Sequence, residues 1–293
     1  MDHETGIANR LGNRAVNQDR CAALVRHDVV LLLLADGMGG HARGELAAQW
    51  FIDTMTRAFD HHDLPMTDPD EFLRQSIIAA HGDIVALGLD EQPPIYPRTT
   101  AVACLVQEGC AWWAHVGDSR LYLIRGGQVL TRTRDHTYVE ELFQSGTITE
   151  AEMATHPMRN YVTYCLGGPQ ETPPVGVAPA VDLQPDDVLL LCSDGLWSGL
   201  DEAQMLAALG AETMQQAADC MADAADRATY PNSDNISVIT MRVRADLLVD
   251  PAESQAGRSS VPTSSGRTSD QLDEAIGSIR DALREYHHEL DGD

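Results

Sequence analysis

Not one of the 293 residues is a lysine; the twenty basic side chains are all arginine. That absence excludes Schiff-base catalysis, a phosphate-binding loop built on lysine, and a Ser-Lys dyad. Any phosphate has to be gripped by arginine, a metal or backbone N–H groups. Positive charge is scarce altogether. Twenty basic residues face 45 acidic ones, giving a formal net charge of −25, which argues against nucleic acid as the main partner. Aromatic residues make up only 5%, and no apolar run approaches the ~20 residues of a membrane span, so no membrane association is expected. The six cysteines, Cys21, Cys104, Cys110, Cys165, Cys192 and Cys220, form no Cys-x-x-Cys pair. Neither a zinc site nor a disulfide framework is expected from them; most read as small buried hydrophobes. Met1-Asp2-His3-Glu4 shows no basic stretch leading into an apolar core, so the expected location is the cytoplasm.

What is there is an ordinary globular composition, 43% hydrophobic and 22% charged. Strand-like runs fall at Val29–Leu34, Thr100–Val106, Ala111–Val116, Arg120–Ile124, Val188–Cys192 and Ile236–Val243. In the last, Ile236 and Val238 share one face and Ile239 and Met241 the other, the pattern of a strand between two layers. Helical patterns cover Gly44–Phe59, Asp70–Leu87 with Asp68 as its cap, and Ala211–Arg227, with short helices at Tyr138–Gln144 and Glu150–Ala154. Strand pairs separated by helix pairs predict an α+β layered sandwich over residues 1–245. Residues 251–269 are rich in Ser, Gly, Thr and Pro and read as a flexible linker. Residues 270–290 carry a heptad seam, Leu272, Ile276, Ile279, Leu283, Tyr286 and Leu290, predicting an amphipathic helix. It could dock on its own domain, recruit a partner or self-associate through 272–290.

Three short acidic segments stand at strand ends: Ala35-Asp36-Gly37-Met38-Gly39-Gly40, Cys192-Ser193-Asp194-Gly195 and Ser233-Asp234-Asn235. Alone, an Asp-Gly after a strand is an ordinary turn. Together, carboxylates at strand ends from distant parts of a chain can converge on one or two hard cations, as two-metal hydrolysis requires. Asp36 suits a bridging position, and Gly37 lets its backbone carbonyl approach as a hard oxygen ligand. Asp19 and Asp118 add further acids.

The order Arg14…Asn17-Gln18-Asp19, Asp36-Gly37-Met38-Gly39-Gly40-His41, Gly117-Asp118-Ser119-Arg120, Ser193-Asp194-Gly195 and Ser233-Asp234-Asn235 resembles the metal-dependent serine/threonine protein phosphatases, the protein phosphatase 2C family in its bacterial form. The stretch from Asp135-His136-Thr137 to His156-Pro157-Met158-Arg159-Asn160 resembles that family's flap, within which His136 and His156 read as structural hydrogen-bonding groups. The resemblance implies a central antiparallel β-sandwich flanked by helices on both faces, a four-layer α-β-β-α fold, with two Mn²⁺ or Mg²⁺ ions in a cleft and a third, weaker ion. By the same resemblance Asp36 bridges both ions, Asp194 and Asp234 complete one shell, and the Gly37 carbonyl serves the other, which Asp19 reaches through water. Asp118 with Asp194 holds the third ion, Arg14 binds the substrate phosphate, and His41 protonates the leaving alkoxide. The implied reaction is direct in-line attack of a metal-bridging hydroxide on a phosphoserine or phosphothreonine of a protein that a cognate serine/threonine kinase has modified. Two departures stand out: the segment around Gly12 is one residue shorter than usual, and Arg98-Thr99-Thr100 replaces a common Gly-Thr-Thr. The alternatives are a catalytically silent phosphatase-like module acting through the C-terminal helix, and a phospho-aspartate enzyme. The latter would want Asp-x-Asp after its first buried strand, where Asp36-Gly37-Met38 stands instead.

Overall fold

The computed structural model describes residues 3–38, 43–168 and 171–244, which fall within one unit, Met1–Val249. His41, the 251–269 linker and the 270–290 helix lie outside the described residues. In chain order come β1 (His3–Arg10), β2 (Arg20–Arg26), β3 (Val29–Ala35), β4 (Gly37–Met38), α1 (Gly44–His61) and α2 (Pro69–Asp90). The middle of the chain forms β5 (Arg98–Thr99), β6 (Ala101–Gln107), β7 (Cys110–Val116), β8 (Arg120–Arg125), β9 (Gln128–Arg132), α3 (Tyr138–Gln144) and α4 (Glu150–Met153). Then follow β10 (Leu166–Gly167), β11 (Gly176–Val177), β12 (Val181–Asp182), β13 (Val188–Cys192), α5 (Asp194–Trp197), α6 (Glu202–Ala208), α7 (Met214–Thr229) and β14 (Ile236–Val243).

Two antiparallel sheets carry the architecture. One runs β11-β7-β6-β3-β2, with β12 also on β7; the other runs β1-β14-β13-β8-β9. Alternation along β3 shows why the layers stack. Val30, Leu32 and Leu34 point at the opposite sheet, where they join Leu121, Leu191 and Ile239 in one buried cluster. Leu31, Leu33 and Ala35 point the other way, onto Phe51 and Met55 of α1 and Ile77 of α2. The second sheet repeats the arrangement: Ile236 and Val238 pack on Met214 and Met221 of α7. The order is helix, sheet, sheet, helix, the predicted fold class. Each fully buried leucine of β3 contributes about 2 kcal/mol over an exposed one. Leu32→Ala at the sheet–sheet seam would cost about 3 kcal/mol through its cavity.

Helix boundaries follow local caps. The Asp68 carboxylate accepts the Glu71 N–H at 3.3 Å, and Pro69 opens α2 where its missing N–H costs nothing. The third long helix begins at Met214, later than the predicted Ala211, because the Thr213 hydroxyl accepts the Gln216 N–H. Strands β1, β2 and β9 were not among the predicted runs. None of the six cysteines is in a disulfide, as expected; Cys104, Cys165 and Cys192 are buried and Cys220 is exposed. A third, three-stranded sheet, β10-β5-β4, ties the turn after β3 to the segment that follows the flap.

Candidate metal centre

The site is built where strands stop. β3 ends at Ala35, and both backbone groups of Asp36 are held in place: its N–H donates to the Thr100 hydroxyl, and its carbonyl accepts from the Thr100 N–H and the Thr99 hydroxyl, each at 2.9 Å. The Thr100 hydroxyl in turn pairs with Ser119 at 2.7 Å, next to Asp118 in the turn between β7 and β8. Gly37 lies directly on Gly44 at the head of α1, with no room for a Cβ at either position. Its N–H donates to the Gln18 carbonyl at 3.2 Å. With its amide turned to satisfy both neighbours, the Gln18 side chain donates to the Gly37 carbonyl at 3.3 Å and accepts from the Gly44 N–H at 3.2 Å. A carbonyl has two lone pairs, so one stays open for a cation.

Asp19 and Asp234 come from distant parts of the chain and are brought together by one amide side chain. The Asn235 Oδ1 accepts the Gln18 N–H and its Nδ2 donates to the Leu11 carbonyl, both at 2.8 Å. Asp19 takes the Ser193 hydroxyl on Oδ2 at 2.8 Å, while the same Ser193 oxygen accepts the Ser237 N–H at 2.9 Å. One hydroxyl therefore couples β14, the start of α5 and the Asp19 carboxylate. Asp194 opens α5 immediately after Ser193. Three residues on, the Trp197 indole N–H donates to the Asp118 carbonyl at 3.0 Å, linking two of the predicted ligand positions. The Arg120 guanidinium stacks 3.9 Å from the centre of the Trp197 ring and grips Asp135 with two bonds, 2.9 and 2.6 Å. Asp135 begins the stretch that resembles the family's flap.

The electrostatics set these acids apart. Burial, reinforced by neighbouring carboxylates, pushes Asp19 up to about 7, Asp118 to about 8 and Asp194 to about 6. Asp36 is raised well above the usual carboxylate range, by burial first and then by the charges of Asp19, Asp194, Asp118 and Asp234. Asp36 and Asp194 keep some surface open to solvent yet lie deep among protein atoms and within hydrogen-bond reach of one another. Oδ1 of Asp19 and Oδ1 of Asp194 are buried with no hydrogen-bond partner. Buried carboxylate oxygens are normally satisfied, and these await something the protein does not supply.

The geometry is open. Among the described residues no three acidic, histidine or cysteine side chains are already closed around one point as metal ligands. Arg14 takes up Asp234, with Nη2 2.6 Å from Oδ2. The donors nonetheless fit a hard divalent cation. They are all oxygen, carry several negative charges, have two orphaned atoms and offer no thiol or imidazole among the described residues. The structure thus gathers Asp19, Asp36, Gly37, Asp118, Asp194 and Asp234, with Arg14 beside them. Ser193, Thr100, Asn235 and Trp197 support these residues but were not singled out, although they sit in or next to the motifs. His136 and His156 are structural groups: the His136 Nδ1 accepts the Gly117 N–H at 3.3 Å and the His156 Nδ1 the Met158 N–H at 3.1 Å. Burial and the neighbouring His115 ring, 4.7 Å between centroids, push His136 down to about 4, so it is neutral near pH 7.

Known proteins are similar to this chain in sequence and fold. The serine/threonine phosphatase stp of Listeria monocytogenes is 31% identical over 233 residues, 78% of this chain and 87% of its own length. The serine/threonine protein phosphatase PstP of Mycobacterium tuberculosis is 34% identical over 231 residues, 78% of this chain but 43% of that protein. A crystal structure of the PstP catalytic domain in complex with two manganese ions superposes with a TM-score of 0.71 at 31% identity, covering 83% of this chain and 98% of that one. The protein phosphatase 2C family profile matches residues 8–227, spanning the strand ends that carry Asp19, Asp36, Asp118 and Asp194. On sequence, fold and site together, the chain belongs to the protein phosphatase 2C family.

Proposed function

We propose that this enzyme hydrolyses phosphoserine and phosphothreonine esters of proteins, using Mn²⁺ or Mg²⁺ at two positions and a third, weaker ion at Asp118 and Asp194. One observation carries the reading: Asp19, Asp36, Asp118 and Asp194 are gathered uncompensated, two of them with orphaned oxygens, beside the arginine Arg14. Asp36 would hold both ions, Asp194 and Asp234 would complete one shell, and the Gly37 carbonyl with Asp19 would serve the other. When bound, the ions supply charge that neutralises phosphoryl oxygens and brings the ionisation of water toward neutral pH.

The chain's own residues do the rest. Ser193 orients Asp19, the Thr99 and Thr100 bonds fix the backbone at Asp36, and Trp197 holds the Asp118 turn. Arg14 is more than half exposed beside Asp234 and would present a forked guanidinium to the substrate phosphate. His41 is the proposed proton donor to the leaving alkoxide. Direct hydrolysis without a phosphoenzyme is consistent with the Asp36-Gly37-Met38 sequence. The silent-module alternative gains no support: Asp19, Asp36, Asp118, Asp194 and Asp234 are all present in the chain, and the similar proteins are named serine/threonine phosphatases. Phosphoproteins and the serine/threonine kinase that modifies them are the partners this reading implies. Six cysteines outside disulfides suit a reducing compartment, so we assign signalling in a bacterial cytoplasm.

The test is release of phosphate from a phosphothreonine peptide with Mn²⁺, with Mg²⁺ and with excess chelator. Metal-dependent turnover that falls by about 10³-fold or more in Asp36→Asn and Asp194→Asn, with both variants folded, is the expected result. Turnover that survives chelation would overturn the reading.

A further inference from the structure

β5 is the middle strand of the small three-stranded sheet. Thr99 pairs with Gly37 on one side and Leu166 on the other, and Arg98 pairs with Met38 and Gly167. Thr99 is buried and bonds the Asp36 carbonyl, so Arg98 is one residue from a direct contact with the metal centre. Alternation along the strand sends the two side chains to opposite faces. Arg98 lies along Gly168, where a Cβ would stand 2.8 Å from its Nε and 3.5 Å from its Cγ and Cδ. Gly168 has a φ of +70°, a second reason the position favours glycine. The buried Cys165 thiol feels both the Arg98 guanidinium and the Asp118 carboxylate, which places both charges within electrostatic reach of one sulfur.

Arg98 is half-buried and has no ion pair or side-chain hydrogen bond among the described residues. Every other half-buried arginine among them has a partner for its guanidinium, from Arg10 on Asp219 and Asp223 to Arg242 on the Leu209 carbonyl. In a chain with 45 acidic residues, carboxylates are plentiful. A guanidinium one strand position from the residue that holds Asp36, and left without a carboxylate, is set out for an anion that comes from elsewhere.

We propose that Arg98 forms an anion subsite next to the metal centre and binds a second negatively charged group of the substrate, a carboxylate or a phosphate within a few residues of the phosphoester. The proposal rests on the phosphatase reading above and narrows its substrates to phosphopeptides with an acidic neighbour. An extended peptide advances about 3.3–3.6 Å per residue, so a neighbour one to four residues away can span from the cleaved ester to a side chain on β5. Elsewhere the strongly negative protein repels such peptides, so a local arginine turns that general penalty into selection at one position.

Three phosphothreonine peptides identical except for one flanking residue (glutamate, phosphoserine or alanine) test it. kcat/KM is measured with Mn²⁺ for the wild type, Arg98→Gln and Arg98→Lys, and flanking positions on both sides are sampled. At one position the wild type should favour a charged peptide over the alanine peptide by about tenfold, mostly through KM; the glutamate and phosphoserine arms identify the anion. Arg98→Gln should bring that ratio to about one, and Arg98→Lys should keep part of it. If Arg98→Gln does not fold, the wild-type preference must instead shrink steeply with added salt. No preference in the wild type at any position, or an equal change on all three peptides in Arg98→Gln, overturns the subsite. The second outcome would mean that Arg98 only offsets the charge of the carboxylates. No turnover of any peptide would overturn the phosphatase reading, and the subsite with it.

Discussion

Asp135 and Asp187 are about as buried as Asp19 and Asp118, yet the fold treats the two pairs in opposite ways. Asp135 is forked by Arg120, with Arg132 3.6 Å away, and Asp187 is forked by Arg125 at 2.9 and 2.7 Å while also taking the Gln184 N–H. Asp19 receives a single hydroxyl on one oxygen and nothing on the other. Asp118 faces Asp194 and Asp135, with Arg120 committed to the latter. A matched buried carboxylate joins parts of the framework. An unmatched one, held in place by bonds to its backbone, is kept ready for a charge the chain does not provide.

The comparison breaks most sharply by exchange. Asp187→Asn leaves Arg125 without its counter-charge and should destabilise the protein by about 3 kcal/mol in urea denaturation. In metal-free protein, Asp194→Asn removes repulsion instead and should raise the melting temperature. A loss of stability in both would show that the centre is ordinary framework. Next in size is the response to pH. In the unfolded chain these acids ionise near 3.8, whereas in the native protein Asp194, Asp19 and Asp118 do so at about 6, 7 and 8. Between about pH 4 and pH 8 the native state binds more protons, so the metal-free protein should lose stability as pH rises through that window. Denaturation at pH 5, 6.5 and 8 with chelator checks the sign, and saturating Mn²⁺ should remove the trend.

A smaller effect should follow Trp197→Phe, which keeps an aromatic face for Arg120 but deletes the bond to the Asp118 carbonyl. About 1 kcal/mol of stability should go, with several-fold weaker Mn²⁺ binding by calorimetry. Unchanged metal affinity would make Trp197 purely structural. Smallest of all, deletion of 251–293 should leave hydrolysis of a small aryl phosphate intact; loss of both fold and activity would place the tail within the domain.

The interior strands were legible because burial on both faces writes itself into composition: β3, β6, β13 and β14 are almost wholly buried. β1 and β2 were not. Each lies at a sheet edge, and their half-exposed side chains leave no apolar run even though every residue of each is in register with its one neighbouring strand. α5 and α6 are too short to show a period. In the centre, Asp36, Asp118, Asp194 and Asp234 could be read because each ends a strand or opens one, and Asp19 because it closes the motif that begins at Arg14. Their supports depend on contacts far apart in sequence: Ser193 meets Asp19 across 174 positions and Trp197 meets Asp118 across 79. No local pattern encodes such a meeting.

The pairing of β1 with β14 sets an order of assembly. All eight residues of β1 find their backbone partners in Ile236–Val243, and β14 also fills the edge of β13. A chain emerging from the ribosome can fold the sheet of β2, β3, β6 and β7 from neighbouring hairpins. Its first strand, however, has nothing to pair with until almost the whole domain has been made. Asp234, two residues before β14, arrives at the same late moment. A growing polypeptide therefore lacks Asp234 beside the other acids, and leaves its first strand unpaired, until synthesis of the domain is nearly finished.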